Sequence, residues 1–252
     1  MKQQAAIQPL ISVRNLEARY GDKVILKNVD VDIYPNEITV ILGSSGCGKT
    51  TLLKNILRLQ EPVSGEVFIW GEDVLKMDDH AFQKVLRQVG MLFQGGALMN
   101  SISVYDNIAI PLEQHTKLSA RIRDRIIRLK LHLVKLDNAL YLNPSELSGG
   151  MKKRVALARA MVLDPKILFC DEPSAGLDPL TSAALDSLIV NLKQQLNMTI
   201  VVVTHELASI HRIADRIIFL DSGSVLYQGT LDGAKQAHIP AIDTFFASGK
   251  YD

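Results

Sequence analysis

ITVILGSSGCGKTTLLKNILRL, Ile38 to Leu59, decides how the rest of the chain is read. Its first five residues form an apolar run of the kind that a strand covered on both faces requires. Thr51 to Leu59 reads as helix. Between them GSSGCGKT, Gly43 to Thr50, matches G-x-x-x-x-G-K-[ST] in the context that gives this pattern its meaning, after a buried strand and before a helix. Glycines let successive backbone N–H groups close around phosphates, Lys49 supplies a point charge to the outer ones, and Thr50 offers a hydroxyl to Mg²⁺. The nucleotide-binding set is therefore Gly43, Ser44, Ser45, Gly46, Cys47, Gly48, Lys49, Thr50 and Thr51, with Cys47 contributing its backbone. The competing reading is a tight turn that merely needs glycines.

Upstream, from Leu10 to Trp70, the pattern is mostly strands. Val29, Val31 and Ile33 alternate with polar residues, and Gly21-Asp22 breaks the run as a turn does. Downstream of Asp164-Pro165, ILFC precedes Asp171, TIVVV precedes Thr204 and RIIFL precedes Asp221, with helical stretches between. Strands alternating with helices imply a mainly parallel sheet, and ligands of such sheets sit at the carboxyl ends of strands. ITVIL, ILFC and TIVVV end at the glycine loop, at Asp171-Glu172 and at Thr204-His205, so these polar groups are expected on one edge. Asp171 is then a metal ligand, and Glu172, next to it, orients or deprotonates an attacking water. His205 at the same edge can sense a terminal phosphate. Gln94 reaches the metal or caps a strand, and Tyr20 stacks on adenine or packs in its hairpin.

From about Gly95 to Leu163 helical periodicity takes over. Ser119 is the expected N-cap of a helix whose Ile122, Ile126, Leu129 and Leu133 share one face, leaving Arg121, Arg125 and Arg128 as a solvated face or, less simply, a membrane-surface one. A length of 252 residues and 47% hydrophobic content suit a globular chain with a large core. A net charge of +1 gives no support to nucleic-acid binding. Cys47 and Cys170 are the only cysteines, one in the glycine loop and one in a strand, so a disulfide framework is not expected and the compartment reads as reducing. The N-terminus lacks a signal-peptide core and no run of about 18 apolar residues occurs, so no direct membrane insertion is expected.

ELSGGMKKRVALARA, Glu146 to Ala160, puts a serine and two glycines where a second helix begins, the setting in which chains hold phosphate. The succession of glycine loop, Gln94 loop, LSGGM, the strand ending in Asp171-Glu172, SAGLD and His205 resembles the ATP-binding subunit of an ABC transporter over nearly the whole length. That resemblance implies an α/β P-loop NTPase fold: a mainly parallel core sheet, an N-terminal antiparallel β subdomain and an inserted α-helical subdomain. It implies one ABC ATPase domain over 1–252, with a signature subdomain at about 95–163. It further implies ATP and Mg²⁺ as cofactors, Thr50, Gln94 and Asp171 toward the metal, Glu172 and His205 as catalytic residues, and a homodimer. In that homodimer Ser148, Gly149 and Gly150 face the nucleotide held by the second subunit, and Asp178 serves dimer communication.

LSGGM departs from the commoner LSGGQ but keeps the serine hydroxyl and glycine N–H groups. With FQGGALMNSISVYDNIAIPL from Phe93, it is similar to the ATPases of the Mla and Mce lipid-trafficking systems. The likeness implies a permease dimer docked on Ala97, Leu98 and Met99, an MCE-domain lipid-binding protein, room for a small accessory subunit, and a peripheral position on the cytoplasmic face of the bacterial inner membrane. A small-solute importer of the amino-acid type is the alternative. Chromosome, repair and translation ATPases of the family are disfavoured, since sustained heptads and a second glycine loop are both lacking.

Overall fold

In a computed structural model, which describes residues 7–247, the run Ile38–Gly43 is a strand with all six residues buried. Along the chain the strands are β1 (Ile11–Tyr20), β2 (Lys23–Ile33), β3 (Ile38–Gly43), β4 (Ser64–Ile69), β5 (Glu72–Asp73), β6 (Val89–Leu92), β7 (Ile167–Asp171), β8 (Thr199–Val203), β9 (Arg216–Asp221) and β10 (Ser224–Thr230). The helices are α1 (Lys49–Ile56), α2 (Asp79–Leu86), α3 (Val104–His115), α4 (Ala120–Leu133), α5 (Gly149–Ala160), α6 (Pro179–Leu196), α7 (Leu207–Ile213), α8 (Leu231–Gln236) and α9 (Pro240–Ala247). They make two compact units, the first running to Gln83 and resuming at Ala214, the second spanning Lys84–Ile213.

In the first unit β2, β1, β4 and β5 form an antiparallel sheet, as the family resemblance implies, and Val29, Val31 and Ile33 alternate along the strand β2 as their pattern predicts. Ile11 lies between Ile33 and Ile69, and Val13 between Val31 and Val67, so one face of three strands is a fully buried aliphatic layer. Each such side chain contributes about 1.5–3 kcal/mol by leaving water. The β1–β2 register shifts between Val13 and Leu16, where Asn15 takes a left-handed φ of 49° and its N–H donates to Asp30 Oδ1. Asparagine tolerates that conformation better than most residues. β3 runs parallel to β9, which turns back antiparallel into β10.

The helix after the glycine loop is shorter than its composition suggests. It starts at Lys49 and closes at Ile56, because Arg58 turns left-handed at φ 50° while Leu59 N–H reaches back to the Lys54 carbonyl. That closure satisfies carbonyls which the last turn would otherwise leave open.

In the second unit β6, β7 and β8 are parallel neighbours. The helical stretch expected from Gly95 begins only at Val104, where Ser103 caps α3 by accepting from Asp106 N–H. Ser119 does stand at the N-cap of α4 but makes no side-chain cap bond. The buried face of α4 also differs from the one expected. Ile127, Lys130, Leu131 and Val134 are buried, whereas Ile122 and Leu129 are 46% and 55% exposed and Ile126 and Leu133 are only half-buried. The helix carries two stripes at helical spacing, and α3 and α5 pack on the one that contains a lysine. Lys130 can lie there because its ammonium reaches the exposed Asp164 carboxylate while its stem fills the buried layer. Arg121, Arg125 and Arg128 are exposed, and Arg128 pairs with Asp124 one turn earlier, as on a solvated face.

Candidate active site

The chemistry-bearing residues fall in both units. In the first, β3 delivers the chain into the glycine loop at Gly43, whose φ of 145° and position leave no room for a side chain: a Cβ there would stand 2.0 Å from the Leu220 carbonyl oxygen. Gly46 and Gly48 are also left-handed, and a Cβ on Gly48 would meet Leu26 at 2.6 Å. α1 begins directly after Gly48 with no side-chain cap, so its first N–H groups remain available to an anion. The Lys49 ammonium is folded onto the loop, donating to the carbonyls of Gly43 and Ser44 at 3.0 Å each.

Ser44 and Ser45 are exposed, Thr50 is half-buried, and Cys47 and Thr51 are buried. Burial pushes the Cys47 thiol up despite the nearby Lys49 charge, which keeps it a neutral thiol and fits a backbone contribution. Tyr20 ends β1 opposite Lys23 across the Gly21-Asp22 turn and is 54% exposed, so its ring is not consumed by hairpin packing.

In the second unit two of the three expected strand ends, at Asp171-Glu172 and Thr204-His205, do meet, and the end of β6 lies beside them. Leu92 stands level with Cys170, and Asp171 with Val203, which brings Gln94, Asp171-Glu172 and Thr204-His205 to one edge. Asp171 and Glu172 are buried. Glu172 adopts a left-handed φ of 46°, unusual outside glycine, and its N–H donates to the Val203 carbonyl. Its carboxylate is held at both oxygens: Oε1 lies 2.8 Å from His205 Nδ1, and Oε2 accepts from the Thr204 hydroxyl at 3.3 Å. The His205 side chain is 64% exposed, leaving its other ring nitrogen toward solvent. Such a carboxylate is oriented at both oxygens, the geometry that a base acting on water needs.

Gln94 is exposed at the start of an irregular segment in which Gly96 and Ala97 are left-handed. Leu98 is half-buried, while Met99 is 52% exposed and so does not belong to the core. Asn107 fixes the segment's far end, accepting from Met99 N–H at 2.8 Å and donating to the Met99 carbonyl at 3.0 Å.

The LSGGM stretch opens α5. Ser148 is its N-cap, and Oγ accepts from Met151 N–H at 3.3 Å, which leaves the hydroxyl proton free to donate outward. Ser148 and Gly149 are exposed. Gly150 is buried, and a Cβ there would meet Thr181 Cγ2 at 2.4 Å. Asp178 caps α6 by accepting from Leu180 and Thr181 N–H, and hydrogen bonding from Thr181 holds its carboxyl below the ordinary aspartate range. Sequence reasoning passed over Lys153 and Arg159 of α5, which donate to carbonyls of the Gln94 segment. One signal was present: Gly150, Lys153 and Leu157 recur at the spacing of a buried stripe, and a lysine on that stripe needs acceptors.

The protein family described as "ABC transporter" matches residues 26–175. The intermembrane phospholipid transport system ATP-binding protein MlaF of Haemophilus influenzae is 41% identical over 91% of this chain and 87% of that protein. The methionine import ATP-binding protein MetN of the same organism is 39% identical over 82% of this chain, the match spanning 59% of that protein. Among solved structures, the dimeric structure of a post-hydrolysis state of the ATP-binding cassette MJ0796 bound to ADP and Pi is similar with a TM-score of 0.79 at 31% identity, over 88% of this chain and 98% of that one.

Proposed function

Since the chain belongs to the ABC transporter family of ATP-binding proteins and is an ATPase, we propose that it is the motor subunit of a phospholipid transport system, working as a homodimer on a separate permease. The observation that carries the lipid assignment is the likeness to MlaF over nine-tenths of the chain. The whole of 1–252 is read as one ABC ATPase domain with a signature subdomain at about 95–163. Its place is peripheral, on the cytoplasmic face of the inner membrane, and among the described residues no helix is long and apolar enough to cross a membrane. An MCE-domain protein and a small accessory subunit complete the proposed assembly.

In this reading Gly43 to Thr51 bind the nucleotide phosphates, Lys49 neutralises their outer charge, and the exposed Tyr20 ring stacks on the base. Glu172 accepts the proton of the attacking water as that water adds to the γ-phosphorus and the bond to ADP breaks. With its proton on Nδ1, His205 donates to Glu172 Oε1, which holds the carboxylate in place and turns Nε2 outward toward the terminal phosphate. The Thr204 hydroxyl fixes the second oxygen. Mg²⁺ would be held by Thr50, Gln94 and Asp171, whose hydroxyl, amide and carboxylate are the hard oxygen donors this cation takes. When bound, it supplies charge neutralisation to the phosphates. Ser148, Gly149 and Gly150 serve the nucleotide of the second copy, with Asp178 beside that shared site.

Ala97, Leu98 and Met99 are the proposed permease contacts. Met99→Asp should abolish co-purification with the membrane partner while the free subunit unfolds at the wild-type temperature, because a charge there meets an apolar surface without a partner. The complex extracted in mild detergent should carry phospholipid and hydrolyse ATP only with its permease. An absence of lipid, with stimulation by an amino acid and a soluble binding protein, would replace this reading by the importer one that the likeness to MetN favours.

A further inference from the structure

α5 holds the Gln94 segment by its carbonyls. Arg159 donates to Gly96 O and Ala97 O, each at 2.7 Å, and Lys153 donates to Gln94 O. Lys153 alone among these donors also reaches the end of β7, where its ammonium donates to the Glu172 carbonyl at 3.2 Å. The side chain is only 7% exposed, and burial pushes its pKa down, against the pull of the Glu172 charge. A buried ammonium is costly, and an aliphatic side chain would fill the same volume without that cost. What the ammonium adds is a donor to two carbonyls that the fold would otherwise leave apart.

One of those carbonyls belongs to the strained residue of the site. The left-handed turn at Glu172 is fixed on its N–H side by Val203 and on its carbonyl side by Lys153, at 3.2 Å, together with the Ala175 N–H, at 3.3 Å. The direction in which the carboxylate leaves the chain, toward His205 and Thr204, follows from that turn. We infer that Lys153 is a positioning residue, tying the Gln94 segment to the backbone of Glu172 so that the placement of the hydrolytic carboxylate depends on the placement of that segment. This rests on the reading of Glu172 as the group that takes the proton from water.

The test uses the complex with its permease, extracted in mild detergent and given Mg²⁺ and ATP, comparing Lys153→Met, Lys153→Gln, Lys153→Arg and Glu172→Gln with wild type by steady-state kinetics, and the free subunits by thermal unfolding. Methionine keeps the length and removes the donor, so kcat should fall about tenfold while KM for ATP stays within about twofold. Arginine should restore most of kcat, and glutamine, with one amide donor group, should fall between. Hydrogen exchange should quicken at Glu172 to Ala175 in Lys153→Met and remain slow within α5. If Lys153→Met does not fold, Lys153→Gln carries the same comparison. A kcat within about twofold of wild type in the folded donor-deficient variant, beside an inactive Glu172→Gln, overturns the role of Lys153 alone. An arginine variant as slow and as unstable as the methionine one also overturns it, since packing would then explain both. Near-normal turnover in Glu172→Gln overturns the assignment of Glu172 and this inference together.

Discussion

Two helix starts in this chain have the composition that suits phosphate, and they are built in opposite ways. α1 opens from a loop in which Gly43 and Gly48 leave no room for a Cβ, Lys49 and Thr51 of its first turn are buried, and no side chain caps it. α5 opens at an exposed Ser148-Gly149 pair, with a serine already satisfying one of its N–H groups. The first is a cradle completed by its own backbone. The second presents a hydroxyl and a glycine edge outward, as the proposed role toward a second copy requires. Under that proposal one chain carries two phosphate-type helix starts without redundancy.

The comparison is sharpest when chemistry is removed from both starts at once. Glu172→Gln leaves each start untouched, so ATP should still bind and pair two copies while turnover falls about a thousandfold. Single-turnover rapid quench beside nucleotide-binding titration separates those quantities, and preserved turnover would show that binding at the two starts is not followed by chemistry at Glu172.

Next in size is the pair Gly43→Ala and Gly149→Ala. At Gly43 the new Cβ collides with the Leu220 carbonyl in a left-handed backbone, which should cost about 3 kcal/mol and lower Tm by roughly 6–12 °C. At Gly149 the nearest atom is Leu177 Cδ2 at 3.4 Å, and alanine in a first helical turn should leave stability unchanged or raise it by up to about 1 kcal/mol. Gly149→Ala should nevertheless impair ATP-driven pairing, measured by size exclusion in the Glu172→Gln background. Equal unfolding temperatures for the two variants, or normal pairing in the second, would dissolve the contrast.

A smaller effect tests whether α5 serves a second copy. In mixed dimers, Lys49→Ala on one subunit and Ser148→Arg on the other should leave one whole site, whereas both changes on the same subunit should leave none. Equal ATP capture by the two arrangements would count against a shared site.

The smallest effect uses α6 as the reference for an ordinary capped start. Asp178 has its carboxyl lowered by hydrogen bonding from Thr181, so its contribution to stability is complete above the unfolded-state pKa of about 4 and is lost as pH falls through the folded value. The Tm gap between wild type and Asp178→Ala should therefore narrow as pH drops below about 4. A gap that stays constant would mean that the cap contributes through shape and not through charge.

How much of this was legible in the sequence depended on whether the deciding interaction was local. The glycine loop, the buried runs before Gly43, Asp171 and Thr204, and the Gly21-Asp22 turn follow from backbone sterics and from strand patterning within a few residues. The order of the signature stretches along the chain needed no structure either. α4 shows where this ends. Ile122, Ile126, Leu129 and Leu133 make as good an apolar stripe as Ile127, Leu131 and Val134, and local spacing gives no reason to prefer the second. Only the neighbouring helices choose, and they choose the stripe with Lys130 because Asp164, distant in sequence, receives its charge. Lys153 is the same case in the site itself: from sequence it is one base in a row of three, and its two acceptors lie 59 and 19 residues away. Residue type and local sterics decide which backbone conformations are possible and which groups can meet phosphate. Which cations are buried, and which carbonyls they join, was decided by packing, because a buried charge is stable only where the tertiary structure supplies its acceptors.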